Sequence, residues 1–212
     1  MTELDPRIHP IRDDLVAAQY RDRIKASRYA EGRRAQVIHT AVPLRLAPDS
    51  AARRGSELLW GETVTVYEEK DGWCWVQNAT DQYMGYVPAA ALGAPGPEPT
   101  HRVAVLRTVK VPTSDIKSMP SEFLSFGTRL AVTDFVDGSS DVKLARLADG
   151  SFVVVAHISP LTELSLDWPK DAERFLDAPY VWGGRTSLGI DCSGLVQMTL
   201  AGAGIKAPRD TD

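Results

Sequence analysis

Cys192 stands in Gly189-Ile-Asp-Cys-Ser-Gly-Leu-Val, after a glycine-rich loop and before a run whose apolar residues recur at helical spacing. A thiol at the start of a helix gains twice. Unpaired amides and the helix dipole favour the thiolate, which is the nucleophilic form. The same amides can donate to an oxyanion growing on an attacked carbonyl. The chemistry implied is acyl transfer to sulfur followed by hydrolysis.

The elements around that thiol are legible as a pattern. Residues 167–176 read as a short helix ending before Asp177-Ala-Pro, and Tyr180 to Gly189 as a tight, backbone-exposed loop. The helix that Cys192 opens sets Leu195, Val196, Thr199, Leu200 and Ala203 on one side, closes at Gly202 and Gly204, and cannot continue past Pro208. Upstream, residues 13–32 have helical character and read as an arm. From Val37 to Leu92 short strands alternate with turns, Asp71-Gly72 marking a hairpin. Gly93-Ala-Pro-Gly-Pro-Glu-Pro-Thr is a proline-stiffened linker, after which strands return in Arg102-Val-Ala-Val-Leu, Leu130-Ala-Val-Thr and Phe152-Val-Val-Val. Ser56-Glu-Leu-Leu-Trp-Gly-Glu-Thr echoes Ser121-Glu-Phe-Leu-Ser-Phe-Gly-Thr with one inserted residue, which points to duplicated small modules.

Composition excludes several classes. A net charge of −4 over 212 residues leaves no basic footprint for nucleic acid and no polybasic patch for a membrane. No stretch approaches the roughly 18 to 20 apolar residues a membrane span needs. Two cysteines and four scattered histidines give no metal-binding pattern, so neither metal nor cofactor is expected. The start of the chain has no cationic segment leading into an apolar core, so the expected location is the cytoplasm. Cys74, between Trp73 and Trp75, is expected in the core.

Two resemblances rest on these motifs. Leu44-Arg-Leu, Gly61-Glu62, Gly72-Trp73 and Gly85-Tyr86-Val87 resemble the bacterial SH3 domain; the second module lacks the Gly-Trp pair and is assigned by position. Pro179-Tyr-Val-Trp-Gly-Gly, Gly189-Ile-Asp-Cys-Ser-Gly-Leu and Pro208-Arg-Asp-Thr-Asp resemble the NlpC family of papain-like cell-wall cysteine peptidases. The expected fold class is α+β: a helical arm over residues 1–35, SH3-like β-barrels over 36–93 and 101–165, and the N-terminal part of a papain-like domain over 166–212.

The resemblance implies a γ-D-glutamyl-L-diamino acid endopeptidase that recycles murein stem peptides. It makes Cys192 the nucleophile and places Tyr180, Asp191 and Ser193 along the substrate cleft, with Asp191 meeting a free α-amine. Trp182 is read as structural. The first barrel is expected to close one cleft end with an acid and a tyrosine, Glu62 and Tyr83, with Glu57 as the rival acid. The partner is then a stem peptide with a free N-terminal L-Ala. The family's base histidine follows the nucleophile, and no histidine follows Cys192 in these 212 residues; His157, in a strand setting, reads as structural. The expectation is a truncated enzyme, inactive as it stands. Rival readings are a peptidoglycan-fragment binder with a dead peptidase remnant, and an acyltransferase on the same scaffold.

Overall fold

The computed structural model describes residues 4–211, the side chain of Ser140 excepted. Residues 13–32 hold no α-helix, contrary to their local pattern. They form β1 (Leu15–Ala17) and β2 (Arg28–Ala30), paired in parallel. The cause is tertiary. Leu15 is buried with Trp75 and Met84 of the following module, and Arg12 is ion-paired to both Asp14 and Glu68. Helix propensity differs by only tenths of a kcal/mol per residue, so one buried leucine and a charge network outweigh it.

Alternation decides the first module. In β4 (Ala41–Arg45) and the first half of β6 (Thr63–Lys70) every second side chain is buried, as a strand with one wet face requires. With β3 (Arg33–Val37), β5 (Arg54–Leu59), β7 (Trp73–Asn78), β8 (Met84–Pro88) and β9 (Leu92–Gly93) they form one sheet ordered β5-β4-β8-β7-β6-β3-β9. It wraps a core of Val37, Leu44, Leu58, Val64, Val76 and Val87, which also takes in Cys74. The β6–β7 hairpin turns through Asp71 and Gly72 at φ 50° and 79°, a pair of positive dihedrals that Asp-Gly supplies at low cost.

The second module comprises β10 (His101–Val103), β11 (Arg107–Lys110), β12 (Glu122–Ser125), β13 (Arg129–Leu130), β14 (Val132–Asp137), β15 (Lys143–Leu147), β16 (Phe152–Val154) and β17 (Ile158–Pro160). They pair in three small sheets around Val103, Leu124, Leu130 and Val153. Its backbone repeats the first module 66 positions later. Val37 N–H donates to Glu62 O and Gly61 N–H to Val37 O; Val103 N–H donates to Thr128 O and Gly127 N–H to Val103 O. The strand registers also agree. Leu59 faces Ala41 and Ser56 faces Leu44 in the first module, as Ser125 faces Arg107 and Glu122 faces Lys110 in the second. The repeat therefore runs without an inserted residue in these strands, which corrects the alignment read from the sequence.

Both modules meet the C-terminal segment at one apolar cluster. Leu59 of β5 and Phe126 after β12 pack with Phe175, Ile190 and Met198. These last three belong to the region of α1 (Trp168–Glu173), the small hairpin β18 (Arg185–Thr186) and β19 (Gly189–Ile190), and α2 (Cys192–Gly202). The buried face of α2 is Gly194, Gln197, Met198, Thr199 and Gly202. That differs in part from the apolar side read from the sequence: Val196 is exposed, while Thr199 is buried and Leu195 packs against the shared cluster. Gly204 lies past the end of α2 at φ 75°, a left-handed stop. No helix among the described residues is long and apolar enough to cross a membrane.

Candidate active site

Asp191 starts the site. It is the N-cap of α2: its Oδ1 accepts from the Gly194 amide at 2.7 Å, and its extended backbone turns the chain into the helix. Its Oδ2 accepts from the Gly183 amide at 2.8 Å and from Arg209 Nη2 at 2.8 Å. Burial pushes the Asp191 carboxyl up, but Arg209 and the two amides more than offset it and hold it below its ordinary value. One carboxylate thus ties the glycine loop, the helix start and the 209–211 segment together. Glycine is obligatory where this packing is tightest: a Cβ on Gly184 would lie 2.3 Å from Gly189 O, and one on Gly194 2.4 Å from Gly184 O.

Cys192 follows as the first helical residue, exposed and free of any disulfide. The amides of Cys192 and Ser193 have no partner among the described residues, as expected of a first helical turn. They are the available donors for an oxyanion beside the sulfur. Ser193 Oγ accepts from Arg209 Nη1 at 2.7 Å and donates to Asp191 Oδ1 at 3.3 Å. It is not the cap; it braces the Arg209–Asp191 pair.

The thiol opens into a groove of about 370 Å³. Tyr180, Trp182, Asp191, Cys192 and Ser193 line it from the C-terminal segment, and Leu46, Arg53 and Tyr83 from the first barrel. Tyr180 is exposed; desolvation at the groove wall and the neighbouring Cys192 and Asp191 raise its phenol above the ordinary value. Trp182, read from its motif as structural, is exposed too and lines the groove. Tyr83 reaches the groove as expected. Its hydroxyl donates to Asp210 at 3.2 Å, and burial followed by the Asp210 charge pushes its phenol up to about 12.

The expected cleft acids are corrected. Glu62 is buried and does not line the groove. Its Oε1 and Oε2 accept from Arg185 Nη2 and Nη1, both at 3.1 Å, and Oε2 also accepts from the Leu59 amide at 2.9 Å. Glu57 is buried as well: it accepts from Arg54 and from the Arg185 amide, both at 3.0 Å. Glu62 pairs with the guanidinium of Arg185, a fully buried cation whose burial lowers its pKa and whose nearby acids, Glu62 first, more than restore it, while Glu57 pairs with Arg54 and holds the Arg185 amide. Asp191 faces the groove, but its carboxylate is committed to Arg209 and two amides. The acid that is half exposed to the groove is Asp210, paired with Arg7 at 2.9 Å and with Tyr83. Sequence reasoning missed Arg7, Arg209 and Asp210; the Pro208-Arg-Asp motif was the only available signal, and nothing in it revealed the partners.

None of the four histidines lines this groove. Nδ1 of His157 pairs with Thr108 Oγ1 at 2.8 Å inside the second module. Among the described residues no cluster of His, Cys, Asp or Glu is placed to hold a metal ion.

Residues 44–92 match the bacterial dipeptidyl-peptidase SH3 domain family, and residues 177–212 match the NlpC/P60 family. A curated γ-D-glutamyl-L-lysine dipeptidyl-peptidase of Bacillus cereus is 28% identical over 183 residues, 76% of this chain and 54% of that protein. The chain thus spans about half the length of this relative. An NlpC/P60 family protein from Bacillus cereus superposes with a TM-score of 0.72 at 20% identity, covering 84% of this chain and 75% of that one. An NlpC/P60 endopeptidase from Photobacterium damselae subsp. piscicida superposes at 0.55 and 16% identity, covering 84% and 44%. Sequence and fold agree: residues 44–92 are similar to a bacterial dipeptidyl-peptidase SH3 module and residues 177–212 to the NlpC/P60 family of peptidases, and the fold is that of a solved NlpC/P60 protein.

Proposed function

We propose that the groove binds the free N-terminus of a short murein stem peptide and that Cys192 is the acyl nucleophile for its γ-D-glutamyl-L-diamino acid bond. The observation that carries the reading is the thiol's position. Cys192 is exposed at the first turn of α2, in a groove whose other wall is the SH3 barrel. In the reaction, the sulfur adds to the γ-carbonyl carbon and the C–N bond breaks. The departing amine leaves with a proton, and water then cleaves the thioester. Ammonium recognition falls to Asp210 with Tyr83, in place of Asp191 and Glu62, because only Asp210 retains a half-exposed carboxylate. A groove walled on one side by the barrel suits a short, already released peptide, which supports recycling in the cytoplasm over attack on intact murein. The curated relative's activity on γ-D-glutamyl-L-lysine supports the bond.

Among the described residues no histidine lines the groove; general-base help of the kind a histidine gives is worth roughly 10²–10⁴-fold. Two measurements test the reading. The 212-residue protein should bind L-Ala-γ-D-Glu-L-Lys and lose at least about tenfold in affinity when the N-terminus is acetylated. It should show no steady-state hydrolysis. Equal affinity for free and acetylated peptides would remove the ammonium subsite. Turnover that disappears in Cys192→Ala would show that another group serves as the base. The same absence of a histidine favours, for these 212 residues alone, the reading of a fragment-binding protein.

A further inference from the structure

The charges along the groove do not balance on their own. Arg209 is neutralised by Asp191 at 2.8 Å, both buried, and Arg7 by Asp210 at 2.9 Å. Arg53 also lines the groove, and among the described residues its guanidinium has no carboxylate partner. Its backbone is held in place. Leu46 N–H donates to Arg53 O at 3.0 Å, and Arg45 Nη1 donates to Ala52 O at 2.7 Å, pinning the loop between β4 and β5. Gly55, two residues on, lets that loop approach Tyr83: a Cβ there would sit 3.2 Å from its ring. A cation on a pinned stretch of backbone thus stands on the same wall as Tyr83, whose hydroxyl marks the Asp210 subsite.

We infer that Arg53 is a specificity-determining residue that reads a free carboxylate on the ligand, one residue away from its ammonium. The inference rests on the peptide reading above and adds to it a second point of recognition. A γ-linked glutamate is what supplies such a group. Its side-chain carboxyl is used in the peptide bond, so its α-carboxylate stays free, directly after the N-terminal alanine. An ammonium on Asp210 and a carboxylate on Arg53 give complementary charge at two separated points of one wall. The bidentate geometry of guanidinium and carboxylate makes the second contact sensitive to chemistry as well as charge. A stem peptide whose glutamate carries an α-carboxamide keeps its shape and loses the negative charge, so the groove discriminates between the two forms.

The experiment is a calorimetric titration of the 212-residue protein with L-Ala-γ-D-Glu-L-Lys and with the same peptide bearing an α-carboxamide on its glutamate. Amidation should raise Kd about tenfold. Arg53→Gln should raise Kd for the acid peptide by a similar factor and leave the amide's Kd unchanged, and Arg53→Lys should recover part of the difference. Arg53 is exposed, so these variants keep the fold. Equal Kd for acid and amide in the unaltered protein overturns the inference while leaving the peptide site standing, as does Arg53→Gln weakening both peptides alike. Absence of binding by either peptide overturns the peptide reading and the inference together.

Discussion

The two β modules share a backbone turn and use it differently. In the first, Gly61 at φ 79° is followed by Glu62; in the second, 66 positions on, Gly127 at φ 81° is followed by Thr128. The main-chain hydrogen bonds around the two turns are the same. Glu62 reaches Arg185 of the C-terminal segment, whereas Thr128 is buried and its Oγ1 has no partner among the described residues. The contrast extends to Glu57, which holds the Arg185 amide, and its counterpart Phe123, which is exposed. The first module spends its charges across the joint. The second spends a pair internally, Lys110 bonding Asp149 at 2.8 Å; the same ammonium lies over the ring of Trp60, from the first module, at 4.6 Å. A repeated fold therefore does not repeat a role; the side chains at equivalent turn positions decide which copy puts an ion pair across the joint with the C-terminal segment.

Breaking that grip should give the largest effect. Glu62→Ala leaves the Arg185 guanidinium buried without its ion-paired carboxylate, and removing one member of a buried pair costs about 3–5 kcal/mol. Urea unfolding of the variant should show a loss of that order. A loss under 1 kcal/mol would mean that Arg185 finds another acid or water and that the joint is mainly apolar, through Leu59, Phe126 and Met198.

A smaller effect belongs to Tyr83, a first-module residue that lines the groove. Tyr83→Phe removes one bond from a buried tyrosine to the partly exposed Asp210 carboxylate and should cost about 1 kcal/mol at neutral pH. The variant also tests the pH dependence. The folded phenol ionises at about 12 against 10.0 for the ordinary group. Its folded value is raised, so its contribution is complete below pH 10 and is lost as pH rises towards 12, where the unfolded chain is already ionised. Stability measured from pH 9 to 12 should fall more steeply in the unaltered protein than in Tyr83→Phe. Parallel curves would show that this phenol titrates normally.

The smallest effect sharpens the comparison from the other side. Thr128→Val exchanges an unpartnered buried hydroxyl for a methyl group and should change stability by less than about 1 kcal/mol, in the stabilising direction. Were it to cost as much as Glu62→Ala, Thr128 would hold a structural bond, and the two turns would be more alike than their partners indicate.

Local chemistry made much of this molecule legible before its fold. Asp71-Gly72 had to be a hairpin turn because both dihedrals are positive, and glycine at Gly183, Gly184 and Gly189 had to mean a tight loop because a Cβ there meets neighbouring atoms. Cys192 at a helix start followed from the loop-to-helix pattern and the helix stop at Gly204, all within about 20 residues of chain. Segments whose conformation rests on neighbours far away were not legible. Residues 13–32 carry a helical pattern, but Leu15 and Arg12 are claimed by Trp75 and Glu68, and strands result.

The acids show the same limit most sharply. The sequence alone determined that Asp191 would sit beside Cys192 at the helix start, and that glutamates would lie near the first barrel's turn. Only the tertiary structure decided that Glu62 pairs with the Arg185 guanidinium and Glu57 with the Arg185 amide, more than 120 positions away, while Arg7 and Asp210, separated by 203, meet at the groove. A carboxylate's role depends on which cation reaches it and whether water does. Both are set by contacts between distant parts of the chain, which no spacing along the sequence encodes.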